Sequence, residues 1–224
     1  MKIKGLGPKK ILVIWKDLGI ENVGELYYAC NENRLIEAKG FGLKTQEEIK
    51  KTIEFNMASN GRFLYAQVES FAEAILEQIK TDIKPEFACL TGQYRRRSEI
   101  IDSIDLILVK ELDNSILQKL ESWGLKDLEV VDNQINCQTD QGIKVKLSFV
   151  KKAELGWEMI SQTGNPEHAD TLKAMLKGAD VLGKSEAEIY ELAGLPYIEP
   201  ELRECNGEFK LAEANSLPDL IQYS

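Results

Sequence analysis

The residues best suited to phosphate chemistry lie in the run TGQYRRRSEIIDSIDLILV, from Thr91 to Val109. The run begins with Thr-Gly, crosses three consecutive arginines and ends in the apolar segment Ile104–Val109, whose only carboxylate is Asp105. This order predicts a turn, a basic loop and then a buried strand. Guanidinium groups beside a buried carboxylate are typical of a site that handles phosphate groups.

Nucleotidyl transfer sets a stricter requirement on the carboxylates. Two carboxylates on one strand and a third on its neighbour hold a pair of metal ions, which clamp a triphosphate and polarise the attacking hydroxyl. Because the side chains of a strand alternate between its faces, we expect Ser103 and Asp105 to share a face and Asp102 to point the other way. Asp105 would then stand alone where the chemistry requires two carboxylates.

A near-repeat lies in the first sixty residues. Gly5-Leu6-Gly7 is followed by Pro8-Lys9-Lys10, and Gly40-Phe41-Gly42 is followed by Leu43-Lys44-Thr45. Each Gly-apolar-Gly run stands immediately before an amphipathic helical pattern. Two copies with lysine at the same offset favour a tandem helix-hairpin-helix, and a pair of ordinary glycine turns between helices is the alternative.

Glycines in such hairpins allow unusual backbone angles and let the amides of the following helix approach a phosphate, which the helix dipole also favours. These contacts hold DNA without reading its sequence, so we expect weak binding with no sequence preference. A monovalent cation is a candidate ligand of the hairpins. The predicted DNA-binding residues are Gly5, Gly7, Lys9, Lys10, Gly40, Gly42, Lys44 and Thr45.

The charge of the chain limits its interaction with nucleic acid. Its 224 residues carry a formal net charge of −9, whereas neutralisation of phosphates by lysine and arginine supplies most non-specific affinity for DNA. Residues 1–60 nevertheless hold ten Lys/Arg and eight Asp/Glu, which leaves eighteen against twenty-nine in the remainder. We therefore expect the DNA footprint to be small and confined to the hairpins.

Composition is that of an ordinary globular protein. No apolar run approaches the ~20 residues that span a bilayer, and the N-terminus lacks the apolar region of a signal peptide, so we expect no membrane partner and a cytoplasmic location. Cys30, Cys89, Cys137 and Cys205 form no C-x-x-C pair, and His168 is the only histidine. This pattern predicts reduced structural thiols and supports neither a zinc site nor a disulfide framework.

Four features of the sequence together carry a resemblance to a known family. They are the spacing from Gly92 to Asp105, the Arg95-Arg96 pair, Glu99 and the run YELAGLPYIEPELRE that ends at Glu204. In these features the chain resembles the polymerase core of a bacterial family X DNA polymerase, over nearly its whole length. Because members of that family carry a lyase-type domain upstream and a phosphoesterase domain downstream, we expect this chain to come from a longer parent with flanking domains.

The resemblance implies an α+β fold in three parts. Residues 1–60 would form a helical tandem helix-hairpin-helix DNA-binding domain, and residues 61–151 a nucleotidyltransferase-like palm with a mixed sheet. Residues 152–224 would form a small α+β, thumb-like subdomain that faces the nucleotide and the base pair. Periodicity and turn signals in the palm predict a long helix, a short strand, a second helix and two further strands. Their ranges are Arg62–Ile83, Glu86–Leu90, Asn114–Trp123, Leu128–Ile135 and Ile143–Phe149.

The resemblance also assigns a nucleotide-binding set. Arg96 matches an arginine that contacts the triphosphate in the family, and the alternative is a solvated turn in which the arginines pair with Glu99 and Asp102. The set consists of Gly92, Gln93, Arg96, Thr163 and Gly164.

The chain departs from the family where the metals would bind. The paired aspartates of the family's D-x-D are Ser103-Ile104-Asp105 here, and the third aspartate is Lys146. An ammonium at Lys146 would neutralise Asp105 and repel Mg²⁺, which activity would require. We therefore expect no cofactor and no metal at the palm, and these substitutions leave dNTP binding doubtful.

Three further departures lie in the last third of the chain. Ser161-Gln162 replaces the family's Tyr-Phe before Thr-Gly, and Ala169 and Lys173 stand where the family reads the minor groove with asparagine and arginine. His168, on the same helix, is expected at the surface.

Three hypotheses about function follow. The chain is a DNA-binding polymerase core whose polymerase site is inactive, or an active DNA-directed nucleotidyltransferase with non-standard ligands such as Asp102 or Glu99, or a structural spacer of a larger nuclease. Similarity favours the fold and the substitutions argue against the reaction, so the first is our prediction.

Overall fold

A computed structural model describes residues 6–38, 40–59 and 61–220 of the chain. The first part consists of helices whose starts follow from local capping. Pro8 occupies the first turn of α1 (Pro8–Lys16), where its missing amide costs nothing. At the start of α2 (Val23–Asn31), the Asn22 side chain accepts the Glu25 amide. The helices are α1 (Pro8–Lys16), α2 (Val23–Asn31), α3 (Arg34–Glu37) and α4 (Leu43–Ser59).

The middle part is built around one long helix and a five-stranded sheet. Helix α5 (Tyr65–Gln78) continues through a π-helical turn at Ile79–Ile83, as the amphipathic pattern predicts. A short strand, β1 (Phe63–Leu64), precedes this helix and pairs with β3 (Ile100–Ile101) in an antiparallel two-stranded sheet. The remaining elements are β1 (Phe63–Leu64), β2 (Phe87–Leu90), α6 (Gly92–Arg95), β3 (Ile100–Ile101), β4 (Ser103–Val109), α7 (Asn114–Ser122), β5 (Lys126–Val131), β6 (Gln134–Gln138) and β7 (Lys144–Val150).

The larger sheet has the order β2-β4-β7-β6-β5, with β4 and β7 parallel and the other pairs antiparallel. The mixed sheet is as predicted, but the single strand predicted over Leu128–Ile135 is wrong. Two strands stand there, joined by a turn at Asp132-Asn133, where Asp132 has φ of 52°. The Asp-Asn pair was the available signal, because both residues tolerate left-handed backbone angles in hairpin turns.

The C-terminal part contains α8 (Leu155–Thr163), α9 (Pro166–Leu176), α10 (Glu186–Leu192) and α11 (Glu208–Glu213). A capping box begins α10, with the Ser185 hydroxyl accepting the Glu188 amide and Glu188 accepting the Ser185 amide. Although an α+β unit is expected here, residues 152–220 contain helices and irregular segments and no strand. The extended segment Leu195–Pro200 is bounded and interrupted by prolines, which cannot donate to a sheet.

Three clusters of buried apolar side chains lie in the three parts. Leu64 and Ile100, from the small sheet, pack into the cluster of the first part and so connect it to the middle part. Glu99 approaches α2 so closely that a Cβ at Gly24 would lie 2.5 Å from the Glu99 carboxylate. Burial and the neighbouring charge of Glu25 raise the pKa of Glu99.

The described part of the chain, residues 6–38, 40–59 and 61–220, contains no helix long and apolar enough to cross a bilayer.

His168 is fully buried, so the expectation of a surface histidine is wrong. Its Nδ1 lies 2.6 Å from Glu208 Oε1, and its Nε2 lies 2.7 Å from the Tyr190 hydroxyl. Burial lowers the pKa of His168, and the bond to Glu208 opposes that shift without reversing it. The partners stand 40 and 22 residues away in sequence, so helical periodicity could not reveal them.

The lowered pKa of His168 predicts a pH-dependent stability. An unfolded histidine binds its proton at a pKa of ~6.5, so the unfolded state takes up protons before the folded state as the pH falls. We expect the free energy of unfolding to decrease below about pH 6.5, and His168→Phe to remove this contribution while costing about 2–4 kcal/mol at pH 7.5. Urea unfolding between about pH 5.5 and pH 7.5 measures both effects.

Tyr190→Phe is the matched control, because it removes one hydroxyl, costs about 1 kcal/mol and keeps the titrating ring. Subtracting the pH profile of His168→Phe from that of the parent cancels the contribution of the carboxyl groups, which both proteins share. Parallel profiles for the parent and His168→Phe would contradict the assignment.

Candidate active site and nucleic-acid interface

A cavity of about 370 Å³ lies where α6, the first residues of β4, β7 and the end of α8 meet. It brings together most of the residues that the sequence assigned to chemistry and to nucleotide binding. The cavity is lined by Gly92, Gln93, Arg96, Asp102, Ser103, Asp105, Lys146, Ser161, Gln162, Gly164 and Pro166. A larger cavity of about 860 Å³ lies between α8 and the loop before α10, but its lining is mainly apolar and excludes Asp105. The smaller cavity is therefore the candidate site.

Gly92 is required by the close packing of α6 on β4. Its φ is +59°, and a Cβ there would lie 2.3 Å from Asp105 Oδ2. The Thr91 amide donates to the Asp105 carbonyl at 2.8 Å, which fixes the turn against the strand. Only glycine combines the left-handed angle with this contact.

Asp105 is held by Ser103. The Ser103 hydroxyl donates to Asp105 Oδ1 at 2.7 Å, which confirms that the two side chains share a face of β4. Burial raises the pKa of Asp105, and the bond from Ser103 and the charges of Lys146 and Arg96 oppose that rise. Lys146 is the register partner of Asp105 across the parallel pair β4–β7.

Lys146 does not neutralise Asp105 through a direct ion pair. Among the described residues no ion pair within 4.0 Å joins the two, and Lys146 acts on Asp105 only through its charge. The direct contact comes from Ser103, which also stands at a position where the family has an aspartate.

Asp102 lines the same cavity as Asp105, so the expectation that it points away is wrong. A bend at Asp102 separates β3 from β4, and strand alternation does not hold across a bend. Asp102 Oδ2 accepts the Gln93 side-chain amide at 3.0 Å, and Oδ1 lies 2.8 Å from Arg62 Nε. Its carboxylate is therefore already bound on both oxygens.

These residues do not fit a two-metal centre. Asp105 is engaged by Ser103 and Asp102 by Arg62 and Gln93, and an ammonium stands where the third carboxylate would bind. Hard divalent cations need several oxygen ligands that are free to coordinate. Within residues 6–38, 40–59 and 61–220, no group of three His, Cys, Asp or Glu side chains is placed to hold a metal ion. Glu99, a candidate non-standard ligand, packs against α2 and does not line the cavity.

The three arginines form ion pairs with the C-terminal part, so the pairing with Glu99 and Asp102 is wrong. Arg95 makes a bidentate contact with Glu186 at 2.9 and 2.6 Å, and Arg97 Nε lies 3.5 Å from Glu201. Arg96 lines the cavity, but its Nε donates to Glu204 Oε1 at 2.5 Å. The segment expected to be a basic loop begins with the one-turn helix α6, which ends at Arg95. Arg96 and Arg97 follow the helix, and all three side chains cross the interface between this segment and the C-terminal part.

Thr163 belongs to this interface and does not line the cavity. It is fully buried, its hydroxyl accepts Arg95 at 3.0 Å and its carbonyl accepts Arg96 at 2.6 Å. Of the five residues predicted to bind nucleotide, Thr163 alone does not line the cavity.

Arg203 is a central residue of the interface that sequence reasoning missed. It is fully buried, donates to Glu186 Oε1 at 2.8 Å and to the Ile198 carbonyl at 2.9 Å, and lies over the rings of Tyr190 and Tyr197. No local signal marks Arg203 for burial, because the surrounding run also holds Glu199, Glu201 and Glu204, although arginine is rarely buried without a partner.

The second candidate site is the pair of hairpins before α1 and α4. Gly5 lies outside the described residues, whereas Gly7 directly precedes α1 and Gly42 directly precedes α4. A Cβ at Gly7 or Gly42 would meet no atom within 4 Å, so both glycines face open space. Gly40 has φ of +93°, which a hairpin turn requires.

The two hairpins lie side by side. Lys10 Nζ of α1 lies 5.4 Å from the centre of the Phe41 ring, and Phe41 packs into the buried cluster between the helices. Neither α1 nor α4 has an acidic residue in its first turn. Lys9 and Lys44 are exposed, Thr45 is half-buried, and neither lysine has an acidic side chain within 4.0 Å among the described residues. This surface combines open amides with positive charge.

Comparisons with known proteins agree with this geometry. The chain is 24% identical to the DNA polymerase/3′-5′ exonuclease PolX of Bacillus subtilis over 235 aligned positions, which cover 93% of this chain and 40% of that protein. The chain therefore spans 40% of the length of this relative. No protein-family profile matches it.

Two crystal structures of polymerase beta from Leishmania infantum share its fold. The ternary gap complex has a TM-score of 0.55 at 14% identity, and the match covers 90% of this chain and 87% of that chain. The ternary P/T complex has a TM-score of 0.54 at 15% identity, with 90% and 95% covered. The predicted α+β fold and the resemblance to the core of a family X DNA polymerase are confirmed.

The register of β4 and β7 predicts that a metal site can be restored. Ser103→Asp together with Lys146→Asp would give the cavity three carboxylates that are free to bind a cation, because Asp102 stays bound to Arg62 and Gln93, so we expect Mg²⁺ or Mn²⁺ binding by isothermal titration calorimetry. Ser103→Asp alone should fail because Lys146 still repels the cation, and Lys146→Asp alone should fail because two separated carboxylates are too few. Adding Asp105→Asn to the double variant is the control and should remove binding. Comparable binding by the unmutated chain would contradict this prediction.

Proposed function

We propose that this chain is the DNA-binding core of a family X DNA polymerase-like protein and that its polymerase site does not catalyse nucleotidyl transfer. One observation carries the proposal. At the cavity where the fold would hold two metals, Asp105 is bound by Ser103 and faces Lys146, while the two hairpins stay open to phosphate.

The hairpin surface supports the binding half of the proposal. Gly7 and Gly42 leave the helix amides accessible, and Lys9 and Lys44 supply positive charge beside them. Backbone amides at a helix start bind phosphate oxygens without reading bases. The related polymerase beta structures are described as a gap complex and a P/T complex, which agrees with DNA as the ligand of this fold.

The donor set of the cavity supports the inactive half of the proposal. Electrostatic stabilisation of the transition state by two metals lowers the barrier to nucleotidyl transfer by several kcal/mol. The ammonium of Lys146 cannot replace a carboxylate as a ligand, and Asp102 is already bound by Arg62 and Gln93. The core would then hold DNA for chemistry performed elsewhere, in a DNA repair context like that implied by the family.

One observation favours a second candidate function. Asp102 and Asp105 line the same cavity, and the charge of Asp102 raises the pKa of Asp105. Release of Asp102 from Arg62 would give two carboxylates at one site, as an active nucleotidyltransferase with a non-standard ligand requires. A structural spacer is the outcome if the two experiments below detect neither incorporation nor DNA binding.

The first experiment measures chemistry. Extension of a primed, gapped duplex with Mg²⁺ or Mn²⁺ and all four dNTPs should be undetectable, because the carboxylates needed for two metals are missing. Incorporation that disappears in Asp105→Ala would contradict the proposal. If it disappears in Asp102→Asn as well, the second candidate function is correct.

The second experiment measures DNA binding. Gly42→Val places a branched side chain in the open space in front of the α4 amides, and its φ is not left-handed, so we expect a folded protein that loses most of its affinity for a gapped duplex. Fluorescence anisotropy at several salt concentrations should show weak binding that salt lowers.

Gly42→Ala provides a graded control at the same position and should lose less affinity. Neutralising the exposed Lys173, on the far helix α9, should change little. A folded Gly42→Val protein that binds the duplex as well as its parent would show that the hairpin is only a structural turn.

A further inference from the structure

Arg96 is the only arginine that lines the candidate cavity, among the described residues, and it is bound by a carboxylate from the C-terminal part. Its Nε lies 2.5 Å from Glu204 Oε1, and its Nη1 donates to the Thr163 carbonyl at 2.6 Å. The Arg96 side chain is 10% exposed and that of Glu204 is 38% exposed. Two donors of the guanidinium are thus held by oxygen atoms of the protein itself.

A carboxylate and a phosphate present similar oxygens to a guanidinium, and both favour bidentate contacts with it. An oxyanion that enters the cavity must therefore compete with Glu204 for Arg96. The pair is partly exposed, which lets the Glu204 side chain leave without unfolding the interface. Its backbone would remain in place, because Asn165 Nδ2 donates to the Glu204 carbonyl at 3.0 Å.

Lys146 provides the second positive charge of the cavity. No acidic side chain lies within 4.0 Å of it among the described residues, and it stands where the fold would use a metal-binding carboxylate. A fixed ammonium attracts phosphate oxygens without a metal. Asp102 and Asp105 oppose an anion, but Asp102 is paired with Arg62 and Asp105 accepts from Ser103. The cavity of about 370 Å³ falls within the ~300–1,000 Å³ of small-ligand sites.

We propose that Glu204 is an internal competitor for an oxyanion site formed by Arg96 and Lys146, and that this site binds a pyrophosphate-type anion without metal once the Arg96–Glu204 pair opens. The inference rests on the proposed function, because it takes the cavity to lack catalytic metals. It adds a regulated ligand, namely a polyphosphate whose binding requires displacement of Glu204. Displacement of Glu204 by such an anion would also remove one contact between Arg96 and the C-terminal part.

The test is calorimetric titration of the chain with inorganic pyrophosphate in EDTA and without DNA. Glu204→Gln keeps the shape and the backbone contacts but removes the competing charge, so it should bind pyrophosphate about tenfold tighter than the parent or more. Glu204→Ala should give the same gain, and thermal unfolding verifies that both are folded. Adding Arg96→Gln to Glu204→Gln should return binding to the parent level or below.

Glu201→Gln is the matched control, because Glu201 pairs with Arg97 outside the cavity at 3.5 Å. It should leave pyrophosphate binding unchanged. Equal affinity of the parent and Glu204→Gln, absence of binding in both, or a gain in affinity that persists after Arg96→Gln is added to Glu204→Gln would each overturn the inference. These results are independent of the hairpins and of dNTP incorporation, so failure here is distinguishable from failure of the proposed function.

Discussion

The structure depends on the buried charge network in which Glu186 lies between Arg95 and Arg203. Arg203 is fully buried, and its charge is stabilised by Glu186 and the Ile198 carbonyl, which accept from its Nη1 and Nε. Burial alone would raise the pKa of Glu186, but the bonds and charges of the two arginines outweigh it and lower that pKa. Loss of one member would leave buried charge without a partner, which typically costs about 3–5 kcal/mol. This network connects Arg95 of α6 to α10 through Glu186 and to the end of α8 through Thr163.

Arg95 and Arg96 are adjacent in sequence but differ in what they contact. Arg95 lies entirely within the interface, whereas Arg96 reaches both the interface and the cavity. The two parts of the chain therefore meet at a residue that an anionic ligand would also contact.

The fold is similar to that of polymerase beta, and the cavity and the hairpins differ from each other in their chemistry. Gly92, with its left-handed angle, lets α6 pack directly on Asp105. Ser103 and Lys146 occupy the carboxylate positions on that geometry. The hairpins keep open glycines and positive charge, which is the combination that phosphate binding needs.

The sequence by itself determined the local elements: the helix caps at Asn22 and Ser185, the hairpins before α1 and α4, and the placement of Ser103 and Asp105 on one face of a strand. These follow from interactions within a few residues, which periodicity and turn chemistry express directly. Only the tertiary structure decided the burial of His168, the partners of the three arginines and the direction of Asp102. Glu186 and Glu204 stand 91 and 108 residues from the arginines they bind, and the bend at Asp102 depends on β3 pairing with β1. Such contacts arise from the packing of distant segments, and no local pattern in the sequence carries them.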